Sequence, residues 1–216
     1  MNKPDSAPDA LTIVLIGEFN PAIFHPAWLV QRGLIRENEA KESKIYFIHP
    51  QVADFELEFG RLQVTENRFL LSCRQPPYFP ICVDLVAGIF KFLRHTPLKQ
   101  LGINWDRQFE VDSEEAWHAF GDQLAPKKPW EEILKKPGLL QLVMQEIPRR
   151  DGKRGQIRVR VEPAGLRGLH FNVNDHIEAR PSEVPDAAEL IGILSDYWEE
   201  SRNRASEIFE RLIMLI

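Results

Sequence analysis

The sequence is poor in cysteine and has no long apolar run. Cys73 and Cys82 are the only cysteines among 216 residues, and a disulfide scaffold needs a much higher density. Their flanks offer no set of histidine and acidic residues at metal-ligand spacing, so two buried thiols are expected instead of a metal site. No apolar stretch approaches the roughly 20 residues of a membrane helix, and no membrane association is expected.

Familiar catalytic and cofactor signatures are also missing. The chain has no G-x-S-x-G, no P-loop lysine motif, no G-x-G-x-x-G and no H-E-x-x-H, so no cofactor is expected. The first ten residues are polar and contain proline, unlike the apolar core of a signal peptide, which makes the cytoplasm the expected location. A net charge of -5 disfavours a nucleic-acid coat but leaves room for a local basic patch.

What is present predicts an α+β fold. With 44% hydrophobic and 27% charged residues, the chain can bury a sizeable core. Runs of β-formers and period-two alternation predict strands, at 11–19, 44–48, 52–64, 69–73, 98–111, 139–147, 156–162 and 169–177. Apolar residues at three- and four-residue spacing, or an N-cap serine at Ser113, predict helices, at 81–93, 113–124, 129–135 and from about 186 to the end. The segment 28–35 is expected to form a short helix or turn, and the charged stretch 36–44 a loop.

The order of these elements repeats along the chain. Strands, a hairpin and a helix are followed by strands, a hairpin and a helix, so two pseudo-equivalent halves, 10–97 and 98–216, are predicted within a single α+β domain. Residues 1–9 are expected to form a flexible lead. The many hairpins favour a mostly antiparallel sheet with helices packed on one face.

Four blocks, in this order and spacing, resemble a known family. They are GRLQVTENRFLLSCRQPPYFPICVDLVAGIFKFL, LGINWDRQFEV, LHFNVNDHIEA and AAELIGILSDYWEESRNRASEIFERLI. The chain from about residue 10 is similar to an uncharacterised family of sporadically distributed prokaryotic proteins. The resemblance implies a prokaryotic host and brings no established activity. That family often carries Gly-Leu-Arg-Tyr-Ile-Asn, where this chain has Asn104 in place of the arginine and Arg107 in place of the asparagine. If that strand lines a family site, the site has changed here.

The strand at 169–177 concentrates polar residues on one face. Residues two apart share a face, which groups His170, Asn172, Asn174 and His176 opposite Phe171 and its neighbours. The outer histidines lie roughly 20 Å apart on an extended strand, so they cannot bind one metal ion. The group is either a solvated sheet face or part of a binding surface.

A basic cluster precedes that strand. Its members are Arg149, Arg150, Lys153, Arg154, Arg158, Arg160 and Arg167. Arg158 and Arg160 point away from Ile157 and, if the two strands pair, share a face with the histidines; Asn104 is an adjacent candidate. Such a face would attract phosphate or a nucleic-acid backbone, or its charges could be paired internally. Arg107 has core-side parity and needs either a carboxylate partner or a ligand anion.

These features lead to three functional hypotheses. The first is a non-enzymatic binding or assembly module, with Arg158, Arg160, His170, Asn172 and their neighbours binding an unknown protein or an anionic ligand. The second is nucleic-acid or phosphate-ligand binding by the same face, and the third is an enzyme with an unfamiliar histidine site. The apolar end of the last helix, 213–216, predicts possible self-association.

Overall fold

The computed structural model describes residues 5–7, 9–182 and 186–216. Within them, ten strands form one antiparallel sheet. The strands are β1 (Asp5–Ser6), β2 (Ala10–Gly17), β3 (Lys44–His49), β4 (Val52–Leu57), β5 (Gly60–Thr65), β6 (Arg68–Cys73), β7 (Leu98–Glu110), β8 (Leu142–Glu146), β9 (Gly155–Ala164) and β10 (Gly168–Glu178). The helices are α1 (Pro26–Gln31), α2 (Glu37–Glu42), α3 (Phe79–Phe92), α4 (Glu114–Leu124), α5 (Lys128–Glu131) and α6 (Ala188–Ile213).

The strand order shows the two predicted halves. The order across the sheet is β3-β4-β5-β6-β2-β7-β10-β9-β8, and β1 pairs with the end of β7. Each half starts with a central strand, β2 or β7, and its last strand, β6 or β10, returns to pair with that central strand. A long helix, α3 or α6, then follows. The halves join where β2 and β7 pair antiparallel, with Ile13 opposite Ile103. The α+β fold with two pseudo-equivalent halves is therefore confirmed.

Period-two alternation gives the sheet one apolar and one polar face. On β7, Leu101, Ile103 and Trp105 are buried under the helices, while Asn104 and Asp106 point to the opposite side. Helices α3 and α6 pack against each other and against the apolar face. The buried indole of Trp105 donates to Ser201 Oγ of α6 at 3.0 Å. The polar face of the central strands is therefore left uncovered by these two helices.

Three segments differ from the sequence prediction. The stretch 36–44, predicted as a loop, contains α2, whose start is stabilised because Glu39 accepts from the backbone of Arg36 at 2.6 Å. The predicted strand 52–64 is a hairpin, since a turn separates β4 from β5 and places Leu57 opposite Gly60. The predicted flexible lead holds β1, which pairs with β7; residues 1–4 and 8 lie outside the described residues.

The remaining elements agree with the prediction to within a few residues at their ends. Ser113 caps α4, with its Oγ accepting from Ala116 N at 3.1 Å. Cys73 and Cys82 are buried free thiols, as expected. No helix in the described part of the chain is long and apolar enough to cross a membrane.

Candidate functional site

The uncovered sheet face arranges the predicted residues in rows that run across the strands. Antiparallel register places Asn104 of β7, Asn174 of β10 and Arg158 of β9 side by side. The next row places Asn172 beside Arg160. Rows two residues apart are about 7 Å from one another. The pairing of β9 with β10, predicted only conditionally from the sequence, is thus observed.

The first row is a chain of amide hydrogen bonds. Asn174 Nδ2 donates to Asn104 Oδ1 at 2.7 Å, and Asn104 Nδ2 donates to the backbone oxygen of Thr12 on β2 at 3.2 Å. Gly102 leaves room for these amides, because a Cβ there would lie 3.3 Å from Asn174 Nδ2. The row fixes both asparagine side chains across three strands.

The third row centres on His170, which lies between two carboxylates. Its Nε2 lies 2.9 Å from Asp106 Oδ1 and its Nδ1 2.8 Å from Glu162 Oε1. The hydrogen bond with Asp106, followed by that with Glu162, raises the pKa of His170 against the opposing effect of burial. The hydrogen bond with His170 is the main cause that lowers the pKa of Glu162. Asp106 also accepts from Asn172 Nδ2 at 2.9 Å. An imidazolium that uses both ring nitrogens in this way fits a bridge between β7, β9 and β10.

His176, at the other end of β10, has the opposite environment. Burial lowers its pKa, and the positive charges of Arg158 and Arg149 add to that effect, while Glu178 opposes it. Its Nε2 lies 3.8 Å from Glu178 Oε1. His176 is therefore favoured in its neutral form and can both donate and accept a hydrogen bond.

The arginines of this face carry positive charge that the protein balances only in part. Arg158 is exposed, and neither it nor Arg68 of β6 forms an ion pair within the described residues. Arg160 Nε lies 3.8 Å from Glu162 Oε2, and this buried nitrogen has no hydrogen-bond partner there. The alternative of internal pairing therefore holds for most of the basic cluster, since Arg149, Arg150, Lys153, Arg160 and Arg167 form ion pairs, but Arg158 forms none within the described residues.

A shallow depression of about 580 Å³ joins these groups. Six of the seven predicted residues line it, namely Asn104, Arg158, Arg160, Asn172, Asn174 and His176. His170 instead borders a neighbouring hollow of about 510 Å³ with Asp106. Sequence reasoning missed Arg68, Thr12, Asp106 and Gln141 in the lining of the larger depression. Asp106 lies two residues after Asn104 on the same strand, so the alternation of side chains could have identified it. Identifying Arg68, Thr12 and Gln141 requires knowledge of the strand order.

Arg149, a member of the predicted basic cluster, is buried beneath β10 and does not belong to the open face. Its guanidinium has no exposed area and contacts Asp175 Oδ1 at 2.5 Å and Asp151 Oδ2 at 2.6 Å. Tyr197 of α6 donates to Asp175 Oδ2 at 3.0 Å, and Arg204 of α6 contacts the same oxygen at 3.3 Å. Arg149 also donates to the backbone oxygen of His176 at 3.1 Å. This buried network fastens β10 to α6 directly under the polar face.

Arg107 has the carboxylate partners that its core-side parity required. Its Nη2 donates to Asp9 Oδ2 at 3.0 Å and its Nη1 to Glu210 Oε1 at 3.1 Å. Of the two alternatives predicted for Arg107, a carboxylate partner and a ligand anion, the structure shows the carboxylate partner. The apolar end of α6 is partly covered, since Ile213 is buried and Met214 is 78% exposed.

Within the described ranges, no group of three histidine, cysteine or acidic residues could hold a metal ion. No protein-family model and no curated protein matches the chain. The membership of the sporadically distributed prokaryotic family therefore stays a prediction.

Proposed function

We propose that this protein is a non-enzymatic binding module whose open sheet face receives an anionic group of a ligand or partner protein. The observation that carries the proposal is the pair of neighbouring arginines, Arg158 and Arg160, beside fixed amides in one depression. Arginine binds carboxylate and phosphate through paired N–H groups. Arg158 has no carboxylate of its own in the described chain. The prokaryotic host and cytoplasmic location predicted from the sequence belong to the same proposal.

The polar side chains around Arg158 and Arg160 can form hydrogen bonds with further polar atoms of a bound anion. The Asn104–Asn174 hydrogen bond fixes the amides before any ligand arrives. Because they are ordered in advance, binding would cost less conformational entropy. Neutral His176 at the edge adds a donor and an acceptor for a hydroxyl or amide. The side chains that line the depression can therefore recognise hydrogen-bonding groups of a ligand as well as its negative charge.

Nucleic-acid binding is supported less well. Asp106 and Glu162 lie on the same face and engage His170 there, which limits the positive field, and the whole chain has a net charge of -5. A backbone of regularly spaced phosphates favours a continuous basic stripe.

The enzyme hypothesis is also supported less well. Both ring nitrogens of His170 are occupied by carboxylates, and His176 lies in an open depression. Neither observation favours proton transfer to a bound substrate.

The test compares anion binding by two charge-matched double variants. Fluorescein-labelled hexaglutamate would be titrated with wild-type protein, with R158Q/R160Q and with R150Q/R154Q, and followed by fluorescence anisotropy at 50 and 200 mM NaCl. Losing charge-assisted hydrogen bonds worth about 1.5–3 kcal/mol should weaken binding at least tenfold in R158Q/R160Q. The control removes the same charge from an exposed loop and should change affinity less than twofold.

The same titration separates the alternatives. Equal weakening by both double variants would mean that only overall charge matters, and would overturn the site. Absence of hexaglutamate and inorganic phosphate binding by the wild type would overturn the proposal itself. Tighter binding of a single-stranded 12-mer oligonucleotide, with a steep salt dependence, would replace it with the nucleic-acid hypothesis.

A further inference from the structure

A second cavity lies beside α4 in the second half and shares no lining residue with the polar depression. It has a volume of about 300 Å³ and is enclosed by α4, by the loop at 136–139 and by the ends of β9 and β10. Its walls are mainly apolar, with Phe120 of α4, Val161 of β9 and Leu169 of β10 all buried. Ligand sites in proteins are concave and mostly apolar, and this volume lies at the lower end of their range.

Fixed contacts hold these walls in place. Trp117, which lines the cavity, donates from Nε1 to the backbone oxygen of Gly168 at 3.0 Å. The ring of Phe120 packs against Phe171, with centroids 5.8 Å apart. Ser113 caps the start of α4. Helix α4 is thus tied to the sheet by both Trp117 and Phe120.

Gly121 of α4 lines the cavity and has open space beside it. It lies inside the helix, and a Cβ built on it would meet no atom within 4 Å. Glycine is the least favourable residue in a helix interior apart from proline. An alanine or larger residue would fit this position and stabilise the helix, but it would reduce the cavity.

The rim of the cavity carries positive charge. Lys127 and Lys136 line it; Lys127 pairs with Asp122 at 2.8 Å, whereas Lys136 has no ion pair in the described chain. Glu162 is the acidic residue of the lining, but its carboxylate is bound by His170 and by Gln141 Nε2 at 3.1 Å. One ammonium group is therefore available at the mouth of an apolar cavity.

We infer that this cavity binds a small apolar molecule with one anionic end, such as an aromatic or medium-chain carboxylate. The apolar body would lie between Phe120, Val161 and Leu169, and the carboxylate would pair with Lys136 at the mouth. The inference does not depend on the proposed function of the polar face, because the two cavities have separate determinants.

The probe is 1-naphthoate, which is small, apolar and singly charged, and its binding can be followed by its own fluorescence. Wild-type protein should bind it, and G121M, which places a side chain in the cavity, should bind it at least tenfold more weakly. G192M is the matched control, since Gly192 is also inside a helix with nothing within 4 Å of a built Cβ, and it should bind as the wild type does.

The charged end is tested at Lys136, an exposed side chain whose replacement does not threaten folding. K136E should weaken 1-naphthoate binding about tenfold, as expected for reversing one charge near the surface, and should leave neutral 1-naphthalenemethanol unaffected. Unchanged binding by G121M, or no binding by the wild type at millimolar probe, would overturn the cavity as a site. Equal effects of K136E on both probes would overturn the anionic end. Binding lost in R158Q/R160Q but kept in G121M would place the probe on the polar face instead.

Discussion

The buried network under β10 gives the sharpest prediction about stability. Asp175 lies on the apolar side of β10 with no exposed area, and it contacts Arg149, whose guanidinium is equally buried. Asp175→Asn keeps the shape of the side chain and removes its charge. Arg149 then keeps only the carboxylate of Asp151 among the described residues, whereas Arg204 keeps both Asp151 and Glu200. We expect a large loss of stability, because a buried cation without its partner keeps its desolvation cost.

The size of the expected loss in the free energy of unfolding depends on the contacts that Arg149 keeps after Asp175→Asn. Removing one partner of a buried ion pair typically costs about 3–5 kcal/mol. Arg149 would still make two contacts with Asp151, at 2.9 Å and 2.6 Å, so the lower end, about 3 kcal/mol, applies. The matched control is Asp54→Asn. Asp54 is itself buried, but its partner Arg61, at 2.7 Å, is 40% exposed, so solvent screens the cation left behind and the expected loss is about 1 kcal/mol.

Urea unfolding followed by circular dichroism measures both losses. With a slope of about 2 kcal/mol per molar urea, Asp175→Asn should lower the midpoint by about 1.5 M and Asp54→Asn by about 0.5 M. A loss below about 1 kcal/mol for Asp175→Asn, or equal losses for the two variants, would refute the argument that burial decides the cost. A changed slope would point to an altered denatured state instead.

Two further predictions concern proton binding and a buried hydrogen bond. The pKa of His170 is raised in the folded protein, so protonated His170 stabilises the fold. That contribution is complete below the ordinary pKa of about 6.5 and is lost as pH rises through the folded-state pKa. The pKa of His176 is lowered, so its contribution is complete above about pH 6.5 and is lost as pH falls. The free energies of unfolding of H170Q and H176Q, measured from pH 5 to pH 8.5, should therefore differ from that of the wild type by about 1 kcal/mol. The two differences should change with pH in opposite directions, and differences that change with pH in the same direction would contradict this. Ser201→Ala should cost about 1–3 kcal/mol in urea unfolding, because it leaves the buried indole N–H of Trp105 without an acceptor; a loss that persists in a Trp105→Phe background would show another cause.

The polar face could be predicted from the sequence because its signal is local. Alternation with period two assigns His170, Asn172, Asn174 and His176 to one side of a strand whatever the strand pairs with. Arg158 and Arg160 follow from the same alternation on β9. Placing the two strands side by side needed only the hairpin between them, which the short turn at 165–168 indicated.

The missing parts depend on contacts that are distant in sequence. Arg68 and Thr12 reach the depression only because β6 and β2 lie beside β7, and no local pattern gives that order. Arg149 was grouped with the surface arginines because counting charges does not reveal burial. Asp175 did carry a signal, since it shares the apolar parity of Phe171 and Ile177, and a carboxylate there requires a partner.

The β2–β7 join also has a consequence for how the chain folds. Hairpins within each half close short loops, whereas the pairing of Ile13 with Ile103 closes a loop that contains nearly the whole first half. Closing long loops is slow, because chain entropy is lost before contacts form. We therefore expect the hairpins to form first and the central pair to form late in folding. Until then β2 and β7 would each have an edge of unpaired backbone N–H and C=O groups, so a second molecule could pair there and exchange halves. At high concentration, refolding is the stage at which this protein is most exposed to domain swapping.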